Sequence, residues 1–459
     1  MDKYRVFADF GSTFTKMVAF DMEKEELAAR VQTPSTVETD IMEGLHTAFA
    51  EIQKQIPLTE SEISGTKACS SAAGGLKMVC IGLVPDFTTE AGRLAALGAG
   101  AKVVGSFSFE LTKSEIRQIE ALQPDIVLLT GGTDGGNKKV IIHNAEMLAG
   151  SSVKHILVAG NKSAYDDIRE AFEGSGRSVK YTSNVMPEFG KLELLEVNQE
   201  IRETFLSNII KAKGIAGVSE EIAGVIMPTP AAVLEAAKLI SVGAGDEHGL
   251  GELLLVDVGG ATTDVFSIGA GRPTKVGVAL NGLIEPVDKR TVEGDLGMYH
   301  NIDSLSALAE DSGDTCGLEP EEFEKKVEEL KNLRSIPGSD DEALYQARLT
   351  SLAVRTAVDR HAGRIRSVMT RNGEVLVQNG KDLTPFKAVL GSGGPVCFSR
   401  FPLEVLKAAS FENDRPDILK PKNPDYFLDE KYILFAIGLL SADEPEKAVR
   451  IAKKYLKKL

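Results

Sequence analysis

Two stretches of this chain carry a carboxylate, a glycine and a threonine at one shared spacing. The pattern D-x-G-x-x-x-T occurs at Asp9–Thr15 and again at Asp257–Thr263. Each copy ends one apolar run and opens the next, so each predicts two strands joined by a tight glycine turn. We therefore interpret the two copies as matched β-hairpins, each with a carboxylate at its mouth.

These turns have chemistry that suits phosphate. Glycines allow backbone N–H groups to close on a bound anion, and neighbouring hydroxyls add donors. A carboxylate beside phosphates suits Mg²⁺, which proteins hold through one or two carboxylates together with substrate phosphates. One such turn alone would be an ordinary hairpin. Two copies facing each other across a cleft would grip the phosphates of a nucleotide from both sides, so the duplication favours phosphate binding.

Between the two hairpins, the chain alternates strands and helices. We predict a parallel α/β subdomain from about residue 99 to 218, inserted in the first of two lobes, because the spacing suits right-handed βαβ crossovers. Its predicted strands are Val103–Phe107, Asp125–Thr130, His155–Asn161 and Val179–Asn184. The glycine-rich stretch Thr130–Asn137 fits either a plain βα turn or a partner-facing loop.

Further glycine-rich segments lie outside this insertion. Lys67–Leu83 predicts a small-residue loop that leads into a buried strand, and its Gly74 and Gly75 fit either ligand lining or close packing. Lys387–Val396 predicts a strand entering a glycine loop, whose bare surface would allow flat approach by adenine or ribose. Tyr432–Leu440 is nearly all apolar and predicts a core helix, in which Gly438 invites a close helix crossing.

Charged segments complete the second half of the chain. Glu321–Leu333 and Glu342–Arg371 predict amphipathic helices. Glu293 and Asp295 lie in a glycine-broken turn. The basic cluster Lys447–Lys458 predicts a solvated final helix, because its cations suit the C-terminal end of a helix dipole.

Composition excludes several classes of function. The 459 residues carry a net charge of −15, which disfavours nucleic acid because phosphate backbones are bound by clustered lysines and arginines. No apolar run approaches the roughly 20 residues of a membrane span, and no targeting pattern precedes the first strand, so we expect a cytoplasmic protein without membrane contact. The four cysteines and six histidines are scattered without metal-ligand spacing. We therefore expect neither an Fe–S cluster nor structural zinc.

Five motifs stand in order along the chain. They are DFGSTFTK from Asp9, MPTPAA from Met227, DVGGATTD from Asp257, LGSGGP from Leu390 and AIG from Ala436. This order and spacing resembles the nucleotide-site motifs of the actin, sugar-kinase and heat-shock-chaperone ATPase superfamily. Within that superfamily, nearly the whole chain is similar to the glutamate mutase accessory proteins of the GlmL/MutL type. The stretches SSAAGGLKMV, DIVLLTGGTDGGN, TVEGDLGM and DLTPFKAVLGSGGP carry this similarity.

The resemblance implies an α/β fold, a two-lobed actin-like ATPase built from duplicated ribonuclease H-like domains. The first lobe would span residues 1–240 and contain the inserted parallel α/β subdomain. The second lobe would span residues 241–430 with a helical insertion at about 300–372, and residues 431–459 would return as a C-terminal helix to the first lobe. Proteins of this family are encoded beside adenosylcobalamin-dependent mutases or aminomutases. The resemblance implies an ATP-dependent chaperone or reactivating factor that exchanges damaged for intact cofactor, and not a mutase.

The resemblance also assigns roles to individual residues. Asp9, Asp257 and Asp264 would be catalytic, and Asp9 and Asp257 would hold Mg²⁺ through water. The residues expected to bind ATP are Gly11, Ser12, Thr13 and Lys16 in the first loop, Gly259, Gly260, Ala261, Thr262 and Thr263 in the second, and Gly391, Ser392, Gly393 and Gly394 around adenosine. ATP and Mg²⁺ are the expected cofactors, and contact with cobalamin is left open.

One position departs from the superfamily pattern. Heat-shock chaperones carry a glutamate where this chain has Met227. Without that acid, activation of the attacking water falls to Asp9, Asp257 or Asp264. We therefore expect slow Mg²⁺-dependent hydrolysis, which suits a switch better than a metabolic kinase.

A small-molecule kinase of the same fold is the main alternative. It would require an acceptor pocket with a catalytic base, for which Glu293 or Asp295 is the best candidate. A filament-forming actin-like protein is a further possibility, against which the large insertion argues. A radical-enzyme activator of this superfamily would require clustered cysteines, which the sequence lacks.

Overall fold

The computed structural model of the protein describes residues 2–36, 39–71, 76–212, 218–313, 315, 318–332, 337–371 and 373–459. The chain divides into two units. The first unit contains Met1–Ala73, Gly214–Ala279 and Arg290–Leu459. The second unit contains Gly74–Lys213 and Leu280–Lys289.

The amino-terminal hairpin lies at the centre of a mixed sheet in the first unit. The elements of this part are β1 (Tyr4–Phe10), β2 (Phe14–Asp21), β3 (Glu26–Pro34), α1 (Ile41–Gln53), α2 (Glu60–Ser64) and β4 (Lys67–Ser70). Strand β1 pairs antiparallel with β2 and parallel with β4. Helix α1 begins where the Asp40 carboxylate accepts the N–H of Met42, so an N-cap marks its start.

The second unit is a parallel α/β sheet. Its elements are β5 (Lys77–Gly82), a π-helical turn (Pro85–Thr89), α3 (Glu90–Gly98), β6 (Lys102–Ser108), α4 (Lys113–Leu122), β7 (Ile126–Leu129), α5 (Lys139–Ala149), β8 (His155–Val158), α6 (Tyr165–Phe172), β9 (Ser178–Tyr181) and α7 (Leu195–Ala212). The strands are all parallel and lie in the order β6-β5-β7-β8-β9. This is the strand order of flavodoxin-like sheets.

The insertion begins earlier than the boundary predicted near residue 99. Strand β5 lies between β6 and β7, so it belongs to the sheet of the second unit. Its apolar residues are fully buried, as both faces of a parallel sheet require. The predicted loop residues Gly74 and Gly75 lie outside the described residues.

The glycine-rich stretch Thr130–Asn137 follows β7 as a tightly bonded βα turn. The Nδ2 group of Asn161 donates to the carbonyls of Gly136 and Asn137, at 3.1 and 3.2 Å. The Nδ2 group of Asn184 donates to the carbonyl of Gly132 at 3.0 Å. Both asparagines are buried, so their amides hold the turn from beneath.

After the second unit, the chain completes the first sheet and enters a connecting helix. These elements are α8 (Val218–Glu221), β10 (Gly224–Pro228), α9 (Thr229–Val242), β11 (Gly243–Ala244) and β12 (Glu247–His248). Strand β10 pairs parallel with β4. Helix α9 begins directly after Pro228 and has a second proline in its first turn, where a missing N–H costs no helical hydrogen bond.

A second mixed sheet follows in the same unit. The remaining elements are β13 (Leu253–Val258), β14 (Thr263–Ile268), β15 (Val278–Asn281), β16 (Asp288–Glu293), α10 (Ile302–Ser312), α11 (Pro320–Asn332), α12 (Asp340–His361), β17 (Arg364–Thr370), β18 (Gly373–Asn379), β19 (Ala388–Ser392), α13 (Gly394–Cys397), α14 (Pro402–Lys407), β20 (Asp425–Asp429), α15 (Leu434–Ser441), α16 (Pro445–Tyr455) and β21 (Leu456–Lys458). The second sheet has the order β16-β14-β13-β19-β20-β21.

The two sheets repeat one topology. From matching ends, the first sheet has the order β3-β2-β1-β4-β10, and the second begins β16-β14-β13-β19-β20. In each sheet the first strand in the chain is central, pairs antiparallel with the second, and pairs parallel with the fourth. The fifth strand lies parallel to the fourth. This repetition confirms the predicted duplicated, two-lobed actin-like fold.

One predicted helix is wrong in its second half. The sequence predicts a single amphipathic helix over Glu342–Arg371, but α12 ends at His361 and β17 follows. A Cβ added at Gly363 would lie 2.5 Å from the carbonyl oxygen of Lys381, so the chain passes this point against another backbone segment. Beyond it, strand β17 pairs antiparallel with β18, and this pairing overrides the local helical tendency.

The two connecting helices cross in a core shared by both sheets. Helix α15 packs on α9, and a Cβ added at Gly438 would lie 1.8 Å from the carbonyl oxygen of Ala232. Only glycine permits this approach, as the sequence predicts. The final helix α16 contacts α9 and β3, whereas β21 pairs antiparallel with β20 of the second sheet. The C-terminal segment therefore contacts both lobes.

Candidate functional site

The first hairpin places a buried ion pair at its mouth. Asp9 and Lys16 lie opposite each other in the β1–β2 register. The Lys16 Nζ atom is 2.6 Å from Asp9 Oδ2, and both side chains are buried. The turn closes where the N–H of Gly11 donates to the carbonyl of Phe14 at 3.0 Å. Burial lowers the pKa of Lys16, but attraction to Asp9 and Tyr432 outweighs that effect and raises it, so the ammonium is charged.

The second hairpin repeats this geometry with opposite charge at one position. The N–H of Gly259 donates to the carbonyl of Thr262 at 2.8 Å, the same three-residue closure as in the first turn. Asp257 lies opposite Asp264 in the β13–β14 register. Asp264 therefore occupies the position that corresponds to Lys16. Two carboxylates face each other where the first hairpin has an ion pair.

The tips of the two hairpins lie against each other. A Cβ added at Gly260 would lie 2.9 Å from Thr13 Oγ1 and 2.9 Å from the ring of Tyr299. The Thr13 hydroxyl is buried and has no hydrogen-bond partner among the described residues. Such an orphaned hydroxyl is a donor available to an anion. The structure thus brings the first and second predicted loops together around a group that fits phosphate.

The three predicted catalytic carboxylates have different partners. Asp9 Oδ1 accepts the Thr229 hydroxyl at 2.5 Å, in addition to the ion pair with Lys16. Asp264 Oδ1 accepts two guanidinium N–H groups of Arg290, at 2.8 and 2.6 Å. Among the described residues, no lysine or arginine lies within salt-bridge distance of Asp257. Burial raises the pKa of Asp257 to about 7, and the nearby Asp264 charge adds to this effect.

A fourth carboxylate, Asp429, lies beside this group. It is 1 % exposed at the end of β20. Its oxygens accept the N–H groups of Ile433 and Leu434 at 2.9 and 3.1 Å, so it caps helix α15. Burial raises its pKa, while these hydrogen bonds oppose the shift. The charge of Asp429 also contributes to the raised pKa of Asp257.

The third glycine loop, Gly391–Gly394, contains glycines that are closely packed and one that borders open space. A Cβ at Gly391 would lie 2.7 Å from Val396 Cγ1, so this glycine makes room for core side chains. A Cβ at Gly393 would lie 2.6 Å from Asp257 Oδ1, which brings the loop onto the second hairpin. Gly394 has no atom within 4 Å of an added Cβ, so it borders open space. The Ser392 hydroxyl donates to Asp429 at 3.1 Å. Gly394 is therefore the member of this group best placed to face adenosine.

Other predicted residues of the second loop already make hydrogen bonds to other groups of the protein. The Thr263 hydroxyl donates to the carbonyl of Leu296 at 2.7 Å and is fully buried. The carbonyl of Ala261 accepts the Asn301 amide at 2.7 Å. The Thr262 hydroxyl donates to Asp264 at 3.0 Å. In the first loop, by contrast, Ser12 is exposed.

Four residues of the site were missed by the sequence analysis: Thr229, Arg290, Asp429 and Tyr432. Only Asp429 had a partial local signal, because an Asp shortly before an apolar helical run can accept N–H groups at the start of the helix, although the N-cap residue itself is Ile433. Thr229 is the threonine of the MPTPAA motif, but its bond to Asp9 depends on tertiary pairing. Arg290 reaches Asp264 from a strand that carries no motif.

Glu293 and Asp295, the candidates for the catalytic base of a kinase, already form salt bridges. Arg360 Nη1 donates to Glu293 Oε2 at 2.7 Å and to Asp295 Oδ1 at 2.8 Å. Attraction to these two carboxylates raises the pKa of Arg360, with the hydrogen bond to Asp295 as its main cause. Both acids thus form salt bridges with the same arginine.

The residues present fit a hydrated Mg²⁺ that is shared with phosphates. The described residues contain no group of three or more His, Cys, Asp or Glu side chains able to hold a metal alone. Mg²⁺ keeps several waters and takes only one or two protein carboxylates. In the part of the chain that the structure describes, Asp257 forms no salt bridge, and Asp9 lies in the same charged group.

Within the described ranges, each helix is too short or too polar to cross a bilayer.

Comparisons with known proteins were made for the whole chain. Residues 5–456 match a family model described as MutL protein. A curated relative, Protein MutL of Clostridium tetanomorphum, is 45 % identical over 467 residues, with full coverage of both chains.

Solved structures resemble the chain only distantly. The activator of the 2-hydroxyisocaproyl-CoA dehydratase from Clostridium difficile, with bound ADPNP, has a TM-score of 0.33 at 10 % identity, covering 98 % of this chain and 96 % of its own. A xylulose kinase from Lactobacillus acidophilus has a TM-score of 0.35 at 11 % identity, covering 99 % and 92 %. Such scores do not identify a function.

Proposed function

Because this chain belongs to the MutL protein family, we propose that it is an ATP-dependent accessory protein of an adenosylcobalamin-dependent mutase. The partner would be glutamate mutase or a related aminomutase, and the protein would help to exchange damaged for intact cofactor in the cytoplasm. The chain itself would not catalyse the rearrangement. The observation that carries the nucleotide part of this proposal is the meeting of two matched carboxylate–glycine hairpins at Gly260 and Thr13.

The hairpins would hold the phosphates from opposite lobes. Lys16 supplies a charged donor, and Thr13 supplies an unused hydroxyl. Asp9 and Asp257 would hold Mg²⁺ through water, and the bound metal would neutralise phosphate charge. The open surface at Gly394 would face adenosine. Phosphoryl transfer to water requires mainly such positioning and neutralisation.

Asp257 is the carboxylate best suited to accept the proton of the attacking water. Among the described residues, no lysine or arginine lies within salt-bridge distance of its carboxylate, so its oxygens would stay available to a water molecule. Asp264 is less suitable because Arg290 occupies one of its oxygens and Thr262 the other. Met227 supplies no acid at the position where heat-shock chaperones carry glutamate. We therefore propose slow hydrolysis.

A chain of contacts would carry the nucleotide state to the connecting helices. Asp9 is bonded to Thr229, the first residue of α9. Asp429 is bonded to the first turn of α15. The two helices meet at Gly438 without intervening side-chain atoms. A change at either carboxylate would therefore shift this crossing, which we propose as the lever that acts on the partner.

The direct test is phosphate release from Mg-ATP by the full chain, with and without an inactivated mutase and fresh adenosylcobalamin. We expect slow basal release, stimulation by the mutase, and recovery of mutase activity. Asp257→Asn should abolish both release and recovery, whereas the exposed control Asp414→Asn should change neither. Absence of Mg-ATP binding in calorimetry would refute the proposal.

The same assay separates the proposed role from a small-molecule kinase. A kinase would transfer labelled phosphate from ATP to a pooled metabolite rather than to water. The pairing of Glu293 and Asp295 with Arg360 disfavours a kinase, because it removes the best candidates for an acceptor base. A labelled phosphometabolite would overturn this preference.

A further inference from the structure

The Lys16 ammonium lies over an aromatic ring. Its Nζ atom is 4.1 Å from the centroid of the Tyr432 ring and 5.6 Å from that of Phe435. At the first distance, a cation is attracted by the negative face of the ring. Lys16 is only 7 % exposed, so water weakens this attraction little. Tyr432 lies between β20 of the second sheet and helix α15, whereas Lys16 lies in β2 of the first sheet, so the contact joins two parts of the candidate site.

The Tyr432 ring is held in a defined place. Its backbone has a φ of +53°, in the left-handed region that tyrosine rarely adopts. Its N–H donates to the carbonyl of Asp429 at 3.0 Å. The ring also makes an edge contact with Phe398, at 6.2 Å between centroids, and the Arg30 guanidinium lies 5.5 Å from the Phe398 ring. A backbone this unusual persists only where its surroundings fix it.

The contact solves a problem that a phosphate-binding lysine faces beside a carboxylate. Lysine is a flexible side chain, and a single ion pair with Asp9 Oδ2, 2.6 Å from its Nζ atom, leaves the ammonium free to rotate about that contact. The face of the Tyr432 ring attracts the ammonium on a second side. Lysine has three donors, so at least one stays available for phosphate oxygens.

We propose that Tyr432 is a positioning residue whose ring holds the Lys16 ammonium in place for the outer phosphates of the nucleotide. This inference rests on the proposed function, because it takes Lys16 as a phosphate-binding residue. Tyr432 directly precedes Ile433, the N-cap residue of α15, so the ring also ties phosphate occupancy to the start of that helix.

The test compares two nucleotides by calorimetry on the full chain. ATP carries the outer phosphates that Lys16 would contact, and AMP lacks them. Tyr432→Leu should weaken Mg-ATP binding about 3- to 30-fold, the range of a buried cation–π contact, and change AMP binding less than about 2-fold. Tyr432→Phe keeps the ring face and should bind both nucleotides within about 2-fold of the natural chain.

Three controls distinguish positioning from a general structural role. Tyr426→Leu makes the same change at a partly buried tyrosine of β20 and should leave the ratio of ATP to AMP affinity unchanged. If Tyr432→Leu does not fold, Tyr432→Asn replaces it, because asparagine tolerates the left-handed backbone. In a Lys16→Met background, the effect of Tyr432→Leu on ATP should disappear.

Two results would overturn the proposal. One is equal weakening of ATP and AMP by Tyr432→Leu, and the other is a loss of ATP affinity in Tyr432→Phe as large as in Tyr432→Leu. A natural chain that binds neither nucleotide would instead refute the proposed function itself. The two failures are therefore distinguishable.

Discussion

Asp257 should make the metal-free protein less stable as the pH rises. Its pKa in the folded chain is about 7, compared with an ordinary value of 3.8. Between these values the folded state binds a proton that the unfolded state has lost, so stability falls as pH increases through this window. Between pH 5 and the folded pKa of about 7 the loss of stability corresponds to about 3 kcal/mol, at about 1.4 kcal/mol per pH unit. Because the side chain is partly exposed, we expect about half of that.

The assay is urea unfolding of the nucleotide-free protein in EDTA at pH 5 and pH 8. Asp257→Asn has no proton to lose, so its stability should differ between the two pH values by about 1 to 3 kcal/mol less than that of the natural chain. Asp414→Asn, at an exposed position, should keep the natural pH dependence. Addition of Mg-ATP at pH 8 should restore stability to the natural chain and to Asp414→Asn, but not to Asp257→Asn. An identical pH dependence in Asp257→Asn and the natural chain would refute the reasoning.

Three further predictions concern glycines and a buried ion pair. Gly394→Ala should leave the unfolding free energy within about 1 kcal/mol, because no atom lies within 4 Å of the new Cβ, yet weaken ATP binding in calorimetry about tenfold; unchanged affinity would contradict the adenosine assignment. Gly438→Ala should cost about 3 kcal/mol in urea unfolding, because its Cβ would lie 1.8 Å from a backbone oxygen, whereas Gly150→Ala, with 3.8 Å of room, should cost little. Arg290→Gln should cost about 3 kcal/mol because it strands the buried Asp264 charge, and adding Asp264→Asn should recover part of that loss.

The hairpins and the duplicated fold could be predicted because their signals are local. A carboxylate, a glycine and a threonine at fixed offsets determine both the turn and the side chains that flank it. The start of the insertion could not be predicted in this way. Strand β5 has the same apolar character whichever sheet it joins, and its pairing with β6 and β7 depends on segments more than twenty residues away.

The third glycine loop illustrates the same limit inside the site. Gly391 and Gly394 stand three residues apart in one motif, but one accommodates core side chains and the other borders open space. Neighbours from distant parts of the chain decide which glycine faces a ligand. The contact of Tyr432 with Lys16 could not be predicted for a similar reason, because more than four hundred residues of sequence separate the two.

Lys16 and Asp264 occupy equivalent positions in the two hairpins but carry opposite charges, so the two repeated halves differ chemically. The two hairpins share one pairing register and one turn closure, so their backbones alone would not fix which way round an elongated ligand binds. A cation at one position and an anion at its counterpart remove that ambiguity. A molecule with an anionic end and a neutral aromatic end can satisfy the pair in one orientation only, so the repeated hairpins form a chemically polar frame.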